Sequence, residues 1–319
     1  MILAGDIGGT KTTLALFDGA RDVREQTFHS ADHPSLEAIV AAFAPGPVVA
    51  ACFGVAGPVE GGAAKITNLP WQMSEQSLSA ALGGAPVALI NDLQATALGM
   101  LALPPEKFAV LQAGKSVDRD TIAVIAPGTG LGEGTLVWAD GAYRALPSEA
   151  GHADWAPGTD EELRLWQFLH GKYGHVSCER VLCGSGISDL FDFARGGGPD
   201  PDWLAKDLAG GMDRNASIST AGLARLDPSA ARALELFAEL LGAECGNIAL
   251  RSLALGGVII GGGVPPKILP ALQTGALLRR FTDKGRFAGW ASERFVRVAL
   301  EPRAALLGAA AHAALKGNP

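Results

Sequence analysis

The chain is short of cysteine, of long apolar runs and of positive charge, and each shortage removes a class of protein. Four cysteines stand at irregular spacings among 319 residues, which makes no disulfide framework and fits a reducing compartment. No apolar stretch reaches the roughly 18 residues from which a membrane-spanning helix is read. Net charge is −7 and the lysines and arginines form no stripe, so a nucleic-acid surface is disfavoured. The N-terminus opens directly on an apolar segment leading to Asp6, without the positively charged lead of a secretory signal. Together these absences set the expectation of a cytoplasmic protein. Low-complexity tracts are missing too. With 48% hydrophobic and 18% charged residues the composition suits a packed core, and the length suggests two domains or one with a large insertion.

What is present is one small device, twice. Met1–Phe17 (MILAGDIGGTKTTLALF) and Thr121–Trp138 (TIAVIAPGTGLGEGTLVW) each join two apolar runs through a Gly/Thr-rich turn. Glycine permits positive φ and lets a ligand come close to the main chain. Successive N–H groups then converge on an anion, and a threonine hydroxyl adds a donor. The candidates are Gly8, Gly9, Thr10 and Lys11 in the first turn, and Gly128, Thr129, Gly130 and Gly132 in the second. Asp6 sits at a strand end, in reach of a metal or a metal-bound water, and Mg²⁺ takes such oxygen ligands together with phosphates. A single turn of this kind reads as an ordinary hairpin. A pair facing each other across a cleft would hold nucleotide phosphates from both sides, which narrows the function to phosphoryl transfer or nucleotide-gated motion.

Two familiar phosphate motifs are absent. Thr10 occupies the glycine position that a P-loop requires before Lys11-Thr12, and a strand rather than a helix follows. The second turn has no GxGxxG phase. Elsewhere the pattern predicts strands at Met1–Gly5, Thr12–Asp18, Val48–Val55, Val87–Ile90, Ile122–Ala126, Gly134–Trp138, Leu255–Ile260 and Glu293–Leu300. Helices are predicted after Asn91, after a capping box at Thr159–Glu162, from Asp227-Pro228, and over the Ala-rich segment from Arg303 to Leu315. The long helix from Asp227-Pro228 should bury Leu234, Phe237, Leu241, Cys245 and Ile248. A boundary is expected at Ala102–Pro105.

Several polar groups stand out between these elements. Asn91-Asp92 follows a strand end and opens a helix, where helix capping alone would favour both residue types. Opposite two phosphate turns, Asp92 becomes the best candidate for a general base toward an attacking hydroxyl. Glu149 and His152 lie in a polar loop and Glu179 between two cysteines; each has a plain surface reading and a second as a hydroxyl acceptor. His170, His175, Cys178 and Cys183 crowd one region, but their spacing lacks CxxC or HxxxH, and the cysteines read as small apolar residues. Gly261, Gly262 and Gly263, after an apolar strand, would let backbone approach an adenine or ribose.

Taken in order, GDIGGTKTTLALFD, FGVAGPV, TNLPW, LINDLQATALG, IAPGTGLGEG, PSEAGHADWAP, CERVLCGSGI, GGVIIGGGVPPK and ALLGAAAH span nearly the whole chain. In these motifs it resembles the bacterial glucokinases of the hexokinase-type, non-zinc family. The resemblance implies an α/β, two-domain actin-like ATPase (ribonuclease H-like) fold with a cleft between domains, ATP and glucose as ligands, Mg²⁺, a homodimer and closure on sugar binding. It implies a small domain over 1–103 completed by helix 303–319, and a large domain over 104–302. By position, Asp92 would be the base on the glucose 6-hydroxyl in the first step of glycolysis. Asn91, Glu149, His152 and Glu179 would hold the other hydroxyls. Gly8, Gly9, Thr10, Gly128 and Thr129 would surround the phosphates, with Lys11 replacing an Asn found in some members, and Gly261–Gly263 the adenosine. The chain lacks the CxCGxxGCxE zinc motif of the related repressor/kinase family and any N-terminal helix-turn-helix. A kinase for another hexose or an amino sugar, a non-metabolic actin-like ATPase, and a sugar-sensing regulator stay open as alternatives.

Overall fold

The computed structural model describes residues 1–19, 21–66 and 69–317. The chain divides into two compact units. Unit 1 comprises Met1–Lys107, Trp138–Pro147 and Glu301–Pro319; unit 2 comprises Phe108–Val137 and Ser148–Leu300.

In unit 1 the first hairpin forms from β1 (Ile2–Ile7) and β2 (Lys11–Asp18), antiparallel, with Asp6 opposite Thr13 and Ile7 opposite Thr12. β3 (Arg21–His29) returns along β2, and β4 (Ala50–Val55) lies parallel to β1. Short strands β5 (Val59–Glu60), β6 (Ala63–Lys65) and β7 (Gln72–Ser74) make a separate antiparallel sheet. β8 (Val87–Asn91), parallel to β4, completes the main sheet in the order β3-β2-β1-β4-β8. Alternation along the strands sends Leu3, Ile7, Leu14, Phe53 and Leu89 to a core shared with Leu36, Ile39, Val40 and Phe43 of helix Leu36–Phe43. Ala4, Ala15, Cys52 and Ile90 pack on Ala305, Leu306, Ala309 and Ala313 of the C-terminal helix Ala304–Gly317. Trp71 is buried, its indole N–H donating to His33 O at 3.1 Å. Thr67 and Asn68 of the TNLPW segment lie outside the described residues.

A second sheet repeats the plan. β9 (Phe108–Gln112), β10 (Ile122–Pro127), β11 (Leu131–Ala139), β12 (Ala142–Ser148), β13 (Val258–Ile260) and β14 (Val296–Ala299) form a sheet ordered β12-β11-β10-β13-β14-β9. β10 has its hairpin partner antiparallel on one side and successive parallel strands, β13 then β14, on the other. β1 stands in the same relation to β2, β4 and β8. The repeat in sequence is therefore a repeat of sheet topology. It is not a repeat of chemistry: the penultimate residue is Asp6 in β1 and Ala126 in β10. The return strand of the second hairpin begins at Leu131, earlier than the predicted Gly134, because the glycines there pair in the ladder rather than extend the turn.

Helix Pro228–Arg251 starts where predicted. Asp227 Oδ1 accepts from Ser229 N at 2.8 Å and Ala230 N at 3.0 Å, with proline in the first turn. The predicted stripe from Leu234 to Ile248 is buried, but burial extends well beyond one face and takes in Glu244. Helix Asp160–Tyr173 forms only half of its predicted capping box. Thr159 Oγ1 accepts from Glu162 N at 3.2 Å, while the Glu162 carboxylate reaches Gly158 N at 2.6 Å and Arg280 at 2.9 Å. The Arg280 ion pair draws the glutamate past the cap. Among the described residues no helix is long and apolar enough to cross a membrane.

Candidate active site

The first turn is closed by a bond from Gly8 N to Lys11 O at 2.9 Å. Gly8 does not adopt left-handed backbone; a Cβ there would lie 3.0 Å from Lys11 O, so what glycine gives this turn is room rather than positive φ. Ser30, which the sequence pattern does not single out, braces it. Its hydroxyl donates to Gly8 O at 2.8 Å and lies 3.0 Å from the Thr12 hydroxyl, and its amide donates to Thr10 O at 3.0 Å. Two carbonyl oxygens of the turn are thus tied back into unit 1, while Thr10 and Lys11 stay exposed.

Asp6 and Asp92 come from the ends of β1 and from the start of helix Asp92–Leu101. Burial pushes the Asp6 carboxyl up to about 6, and the negative charge of Asp92 adds to the effect. A pair of partly buried acids of this kind favours a cation beside it. Asp92 occupies the first helical position, where unsatisfied amides stabilise a carboxylate, and its Oδ1 accepts from Leu93 N at 2.8 Å. Asn91 is the N-cap. Its Oδ1 accepts from Leu93 N at 2.9 Å and its Nδ2 donates to Gly57 O at 3.1 Å. Gln94 completes the box by accepting from Asn91 N at 3.1 Å. Asn91 is buried, and its amide is largely engaged by backbone: Oδ1 also accepts from the Gln94 N–H of the capping box, which leaves one side-chain N–H for a ligand.

In unit 2, Gly128 N donates to Gly130 O and Gly184 N to Gly128 O, both at 2.8 Å. Glu179, on the short helix Cys178–Val181, accepts from Leu131 N at 2.9 Å through Oε2. A Cβ on Gly130 would sit 2.4 Å from that oxygen, and a Cβ on Gly151 would sit 2.2 Å from Leu131 O. Bare backbone at these two positions allows the Glu179 segment and the Ala150–His152 turn to close on the hairpin. His152 Nδ1 then lies 3.9 Å from Glu179 Oε1, and its Nε2 lies 3.9 Å from Glu149 Oε2. The three residues expected from sequence to accept hydroxyls lie together, with Glu149 and His152 exposed and Glu179 partly buried. The Gly261–Gly263 run docks beside the same turn. Gly261 N donates to Ile125 O at 2.8 Å and Val264 N to Pro127 O at 3.1 Å. Gly262 has φ +81°, and a Cβ there would lie 2.2 Å from Pro127 O, whereas a Cβ on Gly263 would meet open space.

His170, His175, Cys178 and Cys183 do not gather. His170 stacks on Trp166, His175 Nε2 lies 2.8 Å from Asp154 Oδ1, and Cys183 Sγ lies 3.1 Å from Ser185 Oγ. All four cysteines are free and buried. Ser30, Gly151 and Gly184 escaped the sequence pattern because their work is contact between distant segments, which no local spacing records.

The duplicated sheets and paired Gly/Thr hairpins define a member of the actin-like ATPase superfamily. A crystal structure of a glucokinase from an Antarctic psychrotroph superposes with a TM-score of 0.83 at 31% identity, over 98% of each chain. That of a glucokinase from Balamuthia mandrillaris, in complex with glucose, shares the fold with a TM-score of 0.80 at 22% identity, over 98% of this chain and 93% of that one. A glucokinase of Nostoc punctiforme is 39% identical over 98% of this chain and 99% of its own length. The glucokinase family model matches residues 3–316, and the chain belongs to that family.

Proposed function

We propose that the chain transfers the γ-phosphoryl group of ATP to the 6-hydroxyl of D-glucose, with Asp92 as general base. The observation that carries this reading is the placement of Asp92, a carboxylate at the C-terminal end of a parallel strand and the first residue of a helix, in a chain matched to the glucokinase family over 3–316. In this reading Asp92 takes the proton of the attacking hydroxyl. Glu149, His152, Glu179 and Asn91 orient the sugar through its remaining hydroxyls. Thr10, Lys11 and the amides of Gly8 and Gly9 bind phosphate oxygens, as do Gly128 and Thr129, and Gly261–Gly263 take the adenosine.

The residues fit Mg²⁺ brought in with the nucleotide. Asp6 is raised by burial and by Asp92, the state that a nearby cation relieves. Asp6 would hold it directly or through water, and the ion would neutralise charge on the transferring phosphoryl group. A homodimer in the cytoplasm completes the reading. Asp92→Ala should lower kcat by on the order of 10²–10⁴ while leaving glucose binding within a few-fold. Normal turnover by that variant would sink the assignment of the base. A panel of hexoses and amino sugars with ATP would sink the assignment of glucose if another sugar gave the higher kcat/KM.

A further inference from the structure

Behind Glu179 lies a polar group that the reaction above does not use. Glu133 belongs to β11, Cys178 begins the short helix whose next residue is Glu179, and Glu244 belongs to helix Pro228–Arg251. Their exposures are 1%, 2% and 4%, and one ligand atom from each lies within 4.8 Å of the others. Glu244 is held in place: its Oε1 takes Arg251 Nη1 at 2.8 Å and its Oε2 takes Asn247 Nδ2 at 2.8 Å. Glu133 is not. Neither of its carboxylate oxygens has a hydrogen-bond partner among the described residues, although both are buried. An acid so placed is costly unless something pairs with it.

We propose that Glu133, Cys178 and Glu244 form a structural site for a divalent transition metal, with Zn²⁺ the best match. One sulfur and two carboxylate oxygens are three donors that Zn²⁺ accepts, and a water would take the fourth tetrahedral position. Mg²⁺ and Ca²⁺ prefer oxygen alone. On binding, the Cys178 S–H bond breaks, an Sγ–metal bond forms and the proton leaves to solvent, with no change of oxidation state. Thiolate, two carboxylates, Arg251 and the dication then sum to a neutral site. Such an ion would bind β11, the Glu179 segment and the long helix to one another. It would also supply the partner that Glu133 lacks. Glu133 reads in sequence as part of a glycine-rich turn and Glu244 as a helix charge, so the cysteine-histidine spacing considered earlier could not have found them.

The test uses the full chain expressed in zinc- or cobalt-supplemented medium and passed through gel filtration before its metal content is measured. Wild type should retain about one Zn²⁺ per chain, and the cobalt form should show a thiolate-to-cobalt charge-transfer band. Cys178→Ala should lose both, and the isosteric Glu133→Gln should weaken retention by on the order of 10-fold or more, with circular dichroism unchanged. Cys183→Ala, five positions along in sequence and outside the cluster, should keep metal and band. Wild type without stoichiometric metal, a cobalt form lacking the band, or metal undiminished in Cys178→Ala or Glu133→Gln would overturn the proposal.

Discussion

Glu179 Oε2 accepts a hydrogen bond from the Leu131 amide at 2.9 Å, in space that exists because Gly130 carries no side chain. The other oxygen, Oε1, lies 3.9 Å from His152 Nδ1. One carboxylate therefore braces the second Gly/Thr turn and stands beside His152. Glu179→Gln keeps an oxygen for Leu131 N but loses the charge. Glu179→Ala loses both. The alanine variant should raise KM for ATP and for glucose together, by about 10–100-fold each. The glutamine variant should act mainly on glucose. Gly130→Ala should resemble Glu179→Ala, since its Cβ displaces the carboxylate. Steady-state kinetics on the three variants, with both substrates varied, checks this; equal effects of Gln and Ala on ATP would contradict it.

Ser30 makes the corresponding prediction for the first turn. Its hydroxyl holds Gly8 O and meets the buried Thr12 hydroxyl. Ser30→Ala removes both contacts and leaves Thr12 Oγ1 short of a partner, at a cost of about 1–2 kcal/mol of stability. Nucleotide affinity should fall several-fold, with glucose affinity unchanged. Calorimetric titration of each ligand into the variant separates the two, and an equal loss for both would argue against a local brace.

Asp6 sets a pH dependence. Its folded value of about 6 lies above the ordinary 3.8, so the folded state binds the proton more tightly than the unfolded state. The stability it contributes is full below 3.8, declines as pH rises through the interval to 6, and stays low above it. Asp6→Asn remains neutral throughout. Its melting temperature should therefore match wild type near pH 4 and exceed it above pH 6, by the equivalent of about 1–2 kcal/mol after allowing for partial exposure. The same variant should need more Mg²⁺ for activity. Thermal unfolding across that pH range tests the first point; a difference that shrinks as pH rises would reverse the sign of the argument.

The hairpins were legible because their strands are apolar, their turns are glycine-rich and the pattern occurs twice. Helix Pro228–Arg251 was legible from Asp227, Pro228 and its spacing. β3 was not: RDVREQTFH is almost wholly exposed, an edge strand with no apolar alternation, defined only by pairing with β2. Nor did any local signal assign Trp138–Pro147 to unit 1, because the segment is the end of β11, the Asp140-Gly141 turn and β12, which reads locally as one ordinary hairpin. Of the proposed site, Asp92 stood out at a strand end opening a helix, Glu149 and His152 in a polar loop, and Glu179 between two cysteines. Their supports did not. Ser30, Gly151 and Gly184 act on residues far off in sequence, and a serine or glycine there looks like any other loop residue.

Gln94 is the support whose role separates most cleanly from binding. Its Oε1 accepts from Asn91 N at 3.1 Å and its Nε2 donates to Ala145 O at 3.0 Å. It thereby fixes the first turn of helix Asp92–Leu101 from two sides, and with it the backbone that carries Asp92. Loss of one half of a capping box costs about 1 kcal/mol, and a small displacement of a general base is felt chiefly in the chemical step. Gln94→Leu should lower kcat by about 10-fold with KM for glucose little changed. Gln94→Glu keeps the acceptor for Asn91 N but gives up the donor to Ala145 O, and should recover part of the rate. A general loss of stability would instead lower the active fraction and leave the kcat of active-site-titrated enzyme intact. Active-site titration beside the kinetics therefore distinguishes positioning from unfolding, and an unchanged kcat per titrated site in Gln94→Leu would remove Gln94 from the set of positioning residues.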